Sequence, residues 1–438
     1  MFEYLHMKNF KSFGDTTIDF TNRDGSPKKL IIIYGENGSG KTNIASAFAF
    51  LNDSIRTMDM RDALNSILEN QPRIASEERL MSIFKQHLKD MEQLIKSNKL
   101  IDSDGTMVLE YGFNVRGKSG CYILEMNDEQ IIHERLEYVI RKRRNIYYDI
   151  TPDKAYISTS LFESKEAYQE ISSCCKKFWG KHSLLSIIVH EAQDKSTEYI
   201  RNQISDNFDA LIEFFYNLSY KINFPGEEQE GRAIVPPQML HQYEKGTISI
   251  NEEKILDHNE SMLNHYFLQV SGNIKKLYYQ REYKDEHINY ELCQKKYFAG
   301  KLREIPFKLE SKGIKSLLDL VPYMLISLAG STVVIDEFDS GMHDILTESI
   351  ILSLYEYIQG QAILTTHATI LMRTALAKNM YIISELNNGE KEVKTITYHD
   401  PKLNANTNVR NKYLSGEYGG APLRRTIDFG VLKKDLGL

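Results

Sequence analysis

Residues 31–42 read Ile-Ile-Ile-Tyr-Gly-Glu-Asn-Gly-Ser-Gly-Lys-Thr, an apolar run that leads into a glycine-rich loop and then into a helix. The loop fits the pattern G-x-x-x-x-G-K-[ST] without a mismatch. Gly35, Gly38 and Gly40 allow the backbone to turn its N–H groups inward, because no side chain there blocks an approaching phosphate oxygen. A buried strand, this loop and the alanine-rich helix that follows together predict a binding site for a nucleoside triphosphate.

Each polar group of the loop has a predicted role. Lys41 places a positive charge against the β and γ phosphates, and the hydroxyl of Thr42 is a ligand for Mg²⁺. The backbone N–H groups and the positive end of the helix dipole hold the remaining phosphate charge. The predicted nucleotide contacts in this segment are Gly35, Asn37, Gly38, Ser39, Gly40, Lys41, Thr42 and Asn43.

Composition narrows the class of protein. The chain has 438 residues, 42% of them hydrophobic and 26% charged, which is ordinary for a globular protein of two or three domains. Its net charge of −6 argues against a constitutive nucleic-acid coat. The four cysteines lack metal-site spacing and are interpreted as reduced thiols. No apolar run approaches the roughly 18 residues of a membrane span, and no signal peptide is evident, so we expect a cytoplasmic protein without membrane contact.

Outward from the loop, the pattern of apolar residues changes several times. Residues 2–20 alternate as two short strands, and residues 57–98 are typical of helix. Residues 105–158 predict a meander of strands separated by glycine and asparagine turns. Residues 160–275 predict helices, because apolar side chains recur there at spacings of three and four. Strands and helices alternate again from residue 276 onward.

A second part of the site is predicted near the other end of the chain. Residues 333–337, Val-Val-Ile-Asp-Glu, form an apolar strand that ends in two acids. Such a strand could simply reach solvent at its end. Downstream of a complete phosphate loop, however, the pattern favours Asp336 as a metal residue and Glu337 as the general base that polarises the attacking water.

His367 follows the next apolar strand, Ala-Ile-Leu at residues 362–364. A single histidine is usually an ordinary surface or core side chain. At the end of a strand next to the Asp-Glu strand, however, its imidazole can reach the terminal phosphate or the attacking water. We therefore assign His367 to catalysis, together with Glu337.

Residues 310–313, Glu-Ser-Lys-Gly, stand at the start of a predicted helix. The simplest interpretation is a helix cap, with the Ser311 side chain satisfying backbone donors. The alternative uses the same physics, because a serine, a glycine and a helix amino terminus also form an anion site. In that interpretation Ser311 and Gly313 hold the γ-phosphate of another subunit.

With these parts in this order, the chain resembles the ABC-type ATPases of the RecF/SMC/OLD class. The matching segments are the Walker A loop at 35–42, a degenerate signature at 311–313, Walker B at 333–337, a D-loop at 339–341 and an H-loop at 366–367. The resemblance implies an α/β fold: a P-loop ATPase head with a mixed sheet and an antiparallel β-subdomain, interrupted by an inserted helical domain. The implied parts are residues 1–158 for the first half of the head, 159–275 for the helical insertion and 276–438 for the second half.

The resemblance also implies ATP and Mg²⁺ as cofactors, hydrolysis of ATP to ADP and phosphate, and a homodimer or higher oligomer. Two chains would enclose two ATP molecules head to tail, with Asp339 of the D-loop among the nucleotide contacts. The sequence departs from the family pattern at Lys312, where related proteins carry glycine, and at Ile314, where glutamine or threonine is common. The glutamine of the Q-loop has no clear counterpart.

More narrowly, residues 310–313, 336–343 and 408–422 are similar to stand-alone bacterial ATPases of phage-defence loci, the RloA, AbiL and PARIS AriA families. This similarity implies a nucleotide-switched sensor or scaffold in abortive infection. Its partners would be a separate effector, a Toprim-type nuclease, and a phage-encoded trigger. Residues 368–438 contain no Toprim-like pattern of the kind that OLD proteins carry.

Other interpretations remain open. A RecF-like repair ATPase would clamp DNA, and Arg141, Lys142, Arg143 and Arg144 form the one dense basic run that could meet phosphates. The plainer interpretation of that run is a solvated strand end. A structural ATP-binding module with negligible turnover is a third interpretation. Residues 408–422 either pack back on the ATPase domain or dock a partner.

Overall fold

The computed structural model describes residues 1–59, 61, 89–140, 143–194, 203–223, 230–404, 406–421 and 427–436. Most of the helices predicted over residues 57–98 lie outside these ranges, as do Arg141, Lys142 and Pro422. Among the described helices, none combines the length and the apolar character that crossing a bilayer requires.

The central sheet carries the phosphate-loop strand. Its seven strands are, in spatial order, β10 (Glu230–Arg232), β9 (Ser219–Ile222), β15 (Thr332–Ile335), β16 (Gln361–Thr365), β3 (Leu30–Tyr34), β17 (Met380–Glu385) and β18 (Lys391–Thr395). The five inner strands run parallel, and the two edge strands are antiparallel to their neighbours. Every residue of β3 is buried, as expected for a parallel strand covered on both faces.

A second, antiparallel sheet covers one side of the central sheet. Its order is β2 (Phe13–Asp19), β1 (Phe2–Phe10), β4 (Met107–Val115), β5 (Lys118–Met126), β6 (Ile131–Ile140), β7 (Arg143–Ile150) and β8 (Ala155–Ile157). Helix α1 (Lys41–Ser54) packs against this sheet. The Phe48 ring lies 5.0 Å from that of Phe2, and Tyr111 donates a hydrogen bond of 2.6 Å to the carbonyl of Ala47. The strands predicted at 2–20 and 105–158 are confirmed.

A third sheet lies near the start of the predicted signature helix. It consists of β11 (Lys245–Ser249), β12 (Ile274–Lys284), β13 (His287–Phe298) and β14 (Lys301–Pro306), with β13 paired to the other three. The remaining helices are α2 (Met91–Asn98), α3 (Lys165–Phe178), α4 (Leu184–Asp194), α5 (Asp206–Tyr216), α6 (Glu253–Val270), α7 (Lys312–Leu328), α8 (Asp344–Tyr357), α9 (Ile396–His399), α10 (Val409–Leu414) and α11 (Phe429–Asp435). The predicted α/β class, with a mixed sheet and an antiparallel sheet, is confirmed.

The expectation of helix throughout residues 160–275 needs correction. Helices α3 to α6 lie in this stretch, but β9, β10 and β11 are strands, and β9 belongs to the central sheet beside β15. The residues of β9, Ser-Tyr-Lys-Ile, alternate polar and apolar side chains, but they cover only four positions soon after α5 ends, so the helical pattern was extended over them. The domain boundaries at 158 and 275 stay a prediction.

Gly112 in β4 provides a test of packing in the antiparallel sheet. A Cβ added there would lie 2.0 Å from Cε1 of Tyr4, whereas a Cβ added at Gly14 in β2 would meet nothing within 4 Å. We expect Gly112→Ala to lower the free energy of unfolding by about 1–3 kcal/mol, because the Tyr4 ring must leave its position. Gly14→Ala is the matched control, and denaturant unfolding is the measurement. Equal stability of the two variants would contradict this account.

Candidate nucleotide-binding site

Two parts of the chain that are distant in sequence meet at the carboxyl ends of the parallel strands of the central sheet. Thr42 Oγ1 donates a hydrogen bond of 2.8 Å to Oδ2 of Asp336, across 294 positions of sequence. The contact arises because β3 and β15 are parallel and separated only by β16, so that their carboxyl ends lie side by side. The phosphate loop after β3 and the two acids after β15 therefore face one another.

The phosphate loop has a backbone that glycine alone adopts easily. Gly38 and Gly40 have φ values of 81° and 110°, in the left-handed region. Helix α1 begins directly after Gly40, and no side chain caps its first turn. Its amino-terminal N–H groups are therefore left for an anionic ligand.

The side chain of Lys41 contacts the backbone of this loop. Its Nζ donates to the carbonyl oxygens of Gly35 at 2.8 Å and Glu36 at 2.9 Å. Burial lowers the pKa of Lys41 from its ordinary value, while the nearby acids Asp336 and Glu337 oppose that shift. The ammonium is thus held at the mouth of the loop by neutral acceptors, which phosphate oxygens can replace.

Asp336 is buried, and both of its carboxylate oxygens accept hydrogen bonds. Oδ2 receives the Thr42 hydroxyl, and Oδ1 receives the Thr365 hydroxyl at 2.5 Å. The carboxylate of Asp336 and the hydroxyl of Thr42 form a fixed pair of hard oxygen donors, which is the ligand chemistry that Mg²⁺ prefers. These two residues, which the sequence proposed as the metal site, fit that ion.

Glu337 adopts an unusual backbone conformation. Its φ is 48°, in the left-handed region that non-glycine residues rarely occupy, and its N–H donates to Thr365 Oγ1 at 2.8 Å. Such strain is typical of functional positions. Within the described ranges, no hydrogen bond to its carboxylate is present. The side chain can therefore accept a proton at the edge of the site.

His367 and Asp339 lie together beyond the acids. The backbone N–H of His367 points to the two carboxylate oxygens of Asp339, at 3.3 and 3.4 Å. Burial lowers the pKa of His367 below its ordinary value of 6.5, and the Lys41 charge adds to the effect. The imidazole of the free protein is therefore harder to protonate than that of an ordinary histidine.

This depressed pKa predicts proton uptake on nucleotide binding. Because the folded state binds fewer protons at His367 than the unfolded chain, stability falls as the pH drops through the folded-state pKa. A triphosphate beside the ring would raise the pKa again. We expect ATP binding near pH 6.5 to take up protons, measured by calorimetry in buffers of different ionisation enthalpy, and His367→Asn to reduce the uptake. Equal uptake in both proteins would exclude His367 as the source.

The predicted signature residues have visible structural roles within the single chain. Ser311 caps α7 by accepting from the N–H of Ile314 at 3.4 Å. Gly313 packs against the D-loop, where an added Cβ would lie 2.4 Å from the carbonyl oxygen of Gly341. Glu310 forms a buried ion pair with Lys296. Ser311 itself is exposed, so a γ-phosphate bound to a second chain can reach it, as predicted for the dimer.

Several polar residues of the site were not predicted. The hydroxyl of Thr365 donates to the Asp336 carboxylate and accepts from the N–H of Glu337. In the sequence, only its position at the end of a strand, two residues before His367, points to the site. Lys391 donates to Ser12 Oγ at 2.8 Å, and Ser12 also accepts from Asn43 at 2.8 Å. No local pattern links these segments.

Asn223 is a further residue that sequence analysis missed. It follows β9, in which Lys221 is aligned with Ile335, so it lies at the same sheet edge as Glu337. Its Oδ1 is buried and has no hydrogen-bond partner among the residues that the structure describes.

The segment after α10 packs on the ATPase domain, as one of the two interpretations predicted. Tyr413 donates to the carbonyl of Gly420 at 2.9 Å, and its ring lies 6.0 Å from that of Tyr34. A cavity of about 370 Å³ is lined by loop residues Glu36 to Ser39 and, from this segment, by Gly416, Gly419, Gly420 and Ala421. This segment therefore forms one wall of a space beside the phosphate loop.

Half of the predicted basic run can be described. Arg143 and Arg144 begin β7, and Arg144 is paired with the carboxylate of Glu137 at 3.0 Å. A paired guanidinium is less available to DNA phosphates than the sequence alone indicates. The solvated strand end remains the simpler account of this run.

A family model for an AAA domain, AAA_23, matches residues 4–310. The chain belongs to the AAA_23 family. The matched range of this AAA domain contains the phosphate loop and stops before the Asp-Glu strand, so the assignment of Asp336 and Glu337 rests on geometry. No curated protein sequence matches the chain.

Three solved structures resemble this AAA_23 chain. The SMC head bound to the C-winged helix domain of ScpA has 16% identity, coverage of 90% of this chain and 97% of that chain, and a TM-score of 0.44. The SMC head domain from Thermotoga maritima has 15% identity, coverage of 90% and 98%, and a TM-score of 0.37. The Smc head domain with an extended coiled coil, bound to the C-terminal domain of ScpA derived from Pyrococcus furiosus, has 14% identity, coverage of 90% and 96%, and a TM-score of 0.39.

Proposed function

We propose that this AAA_23 protein binds ATP with Mg²⁺ and hydrolyses it to ADP and phosphate. The observation that carries the proposal is the hydrogen bond between Thr42 and Asp336, because it joins a complete phosphate loop to a strand that ends in two acids. A glycine-rich loop alone would support binding only. The adjacent Glu337 supplies the group that hydrolysis needs.

Different residues of the chain bind the phosphates, accept the proton and position the reacting groups. The N–H groups of the loop and of the first turn of α1 hold the phosphates, and Lys41 Nζ exchanges its two carbonyl acceptors for phosphate oxygens. Glu337 accepts the proton of the attacking water, and His367 orients that water or the terminal phosphate. Bound Mg²⁺, held by Thr42 and Asp336, would neutralise charge on the phosphate oxygens. Thr365 positions both acids.

We also propose that two chains enclose the nucleotide head to tail. The exposed Ser311 at the start of α7 would then complete the site of the second chain, with Gly313 behind it. Sedimentation velocity with and without ATP and Mg²⁺ tests this directly. A particle of single-chain mass under both conditions would contradict the arrangement while leaving the binding site intact.

The biological role we propose is that of a nucleotide-switched sensor or scaffold in abortive infection, which controls a separate effector of the Toprim nuclease class. The support is the similarity of residues 310–313, 336–343 and 408–422 to phage-defence ATPases. The test is phage plating on cells that express the complete locus, with Lys41→Ala as the inactive variant. Equal plating with and without the functional locus would refute this role but not ATP hydrolysis.

A further inference from the structure

A large cleft lies away from the nucleotide site. It has a volume of about 900 Å³ and is bounded by β2, the turn before β3, and β18. Lys28 lies on its floor, just before β3 begins. The phosphate loop follows the carboxyl end of β3, whereas the cleft lies at the amino end of that strand.

The ammonium of Lys28 is buried, and its hydrogen-bond partner is a neutral hydroxyl. The residue is 6% exposed, and its Nζ donates to the hydroxyl of Tyr381 at 2.6 Å. That hydroxyl in turn donates to the backbone carbonyl of Asp19. Across the part of the chain that the structure describes, Lys28 forms no ion pair. The ammonium also lies 4.6 Å from the centroid of the Tyr381 ring. A buried cation with these neutral partners and no paired acid is stabilised further by an anionic ligand.

More cationic than acidic side chains line the cleft, and one of the cations, Lys394, is paired with Glu392 at 3.6 Å. Arg23, Lys378 and Lys394 line it together with Lys28. Burial lowers the pKa of Lys28 to about 8; the charge of Asp19 opposes this shift, and the charge of Lys378 adds to it by a smaller amount. Lys28 and Lys378 line the same cleft, so both charges would attract an anion bound there.

The two acids of the cleft are engaged by their own turns. Asp19 Oδ1 accepts from the N–H and the hydroxyl of Thr21, at 2.8 and 2.7 Å. Asp24 Oδ1 accepts from the N–H and the hydroxyl of Ser26, at 3.0 and 2.6 Å. Since the whole chain carries a net charge of −6, this local excess of cations does not follow from composition.

We propose that this cleft binds a small phosphorylated ligand of nucleotide size, at a site separate from the phosphate loop. A phosphate monoester has the two negative charges and several acceptor oxygens that Lys28 and Lys378 require. The volume lies in the range of small-molecule sites. The ring of Tyr398, 61% exposed at the rim, offers a surface on which a base can stack.

The test is calorimetric titration of the full-length Lys41→Ala protein with AMP and, separately, with inorganic phosphate, so that the phosphate loop contributes little. We expect binding of AMP that Lys378→Gln weakens at least tenfold and Lys28→Met abolishes. Lys402→Gln, an exposed lysine outside the cleft, is the matched control and should change nothing. Tighter binding of AMP than of phosphate would identify a nucleotide, and equal binding would identify the phosphate group alone as the ligand.

Two outcomes would overturn the proposal: no binding of either ligand at millimolar concentration, or binding that Lys378→Gln leaves unchanged. Lys378 is exposed, so its substitution should not disturb folding even if Lys28→Met does. The titrations are repeated with wild-type protein saturated with ADP, to guard against an effect of Lys41→Ala on the fold. Because ATP hydrolysis is not measured, failure here is distinguishable from failure of the ATPase assignment.

Discussion

Glu337→Gln is expected to keep ATP binding and to lose ATP hydrolysis, with kcat falling by about 10²–10⁴-fold, the usual contribution of a general base. The amide has nearly the shape of the carboxylate but cannot accept the proton of the attacking water. The backbone turn at Glu337 is held by the Thr365 hydroxyl and does not depend on the Glu337 side chain. The substitution should therefore leave the site folded.

Trapped nucleotide should also change the state of association. If two chains enclose ATP, Glu337→Gln accumulates closed dimers with ATP and Mg²⁺, whereas the wild-type protein cycles between states. Phosphate release and sedimentation velocity measure the two effects. Glu356→Gln, at an exposed position on α8, is the matched control for loss of a carboxylate. Unchanged phosphate release in Glu337→Gln would remove this residue from catalysis.

Lys41→Ala is expected to weaken ATP binding by about 10²–10⁴-fold. Each hydrogen bond to a charged group contributes roughly 1.5–3 kcal/mol, and the ammonium of Lys41 can make two such bonds to phosphate oxygens. In the free protein the same group makes two bonds to loop carbonyls. Lys41→Ala therefore removes a positive charge from the place where the triphosphate would lie.

A matched control exists just before β3, the strand that leads into the phosphate loop. Lys29, just before β3, also donates to a backbone carbonyl, that of Ile358 at 3.0 Å. Lys29→Ala should cost similar stability and leave nucleotide affinity unchanged, as measured by equilibrium binding of labelled ATP. Retention of ATP at wild-type affinity by Lys41→Ala would refute the role given to this lysine.

Sequence reasoning worked best where the physics is local. The phosphate loop depends on glycines within a few positions, and Gly38 and Gly40 have the left-handed backbone that their spacing implied. The meander at 105–158 was recognisable because alternating side chains report which face of a strand is buried. β9 was missed because its alternation covers only four residues and follows closely on the helical pattern of α5.

The amino-acid sequence by itself determined the phosphate loop, the strand that ends in Asp336 and Glu337, and the α/β class, since each follows from residues close together in the chain. Only the tertiary structure decided which of these segments are neighbours. The Thr42–Asp336 contact, the double hydrogen bond of Thr365 and the entry of β9 into the central sheet all depend on strand order. Local periodicity reports the buried face of a strand but carries no information about which strand lies beside it.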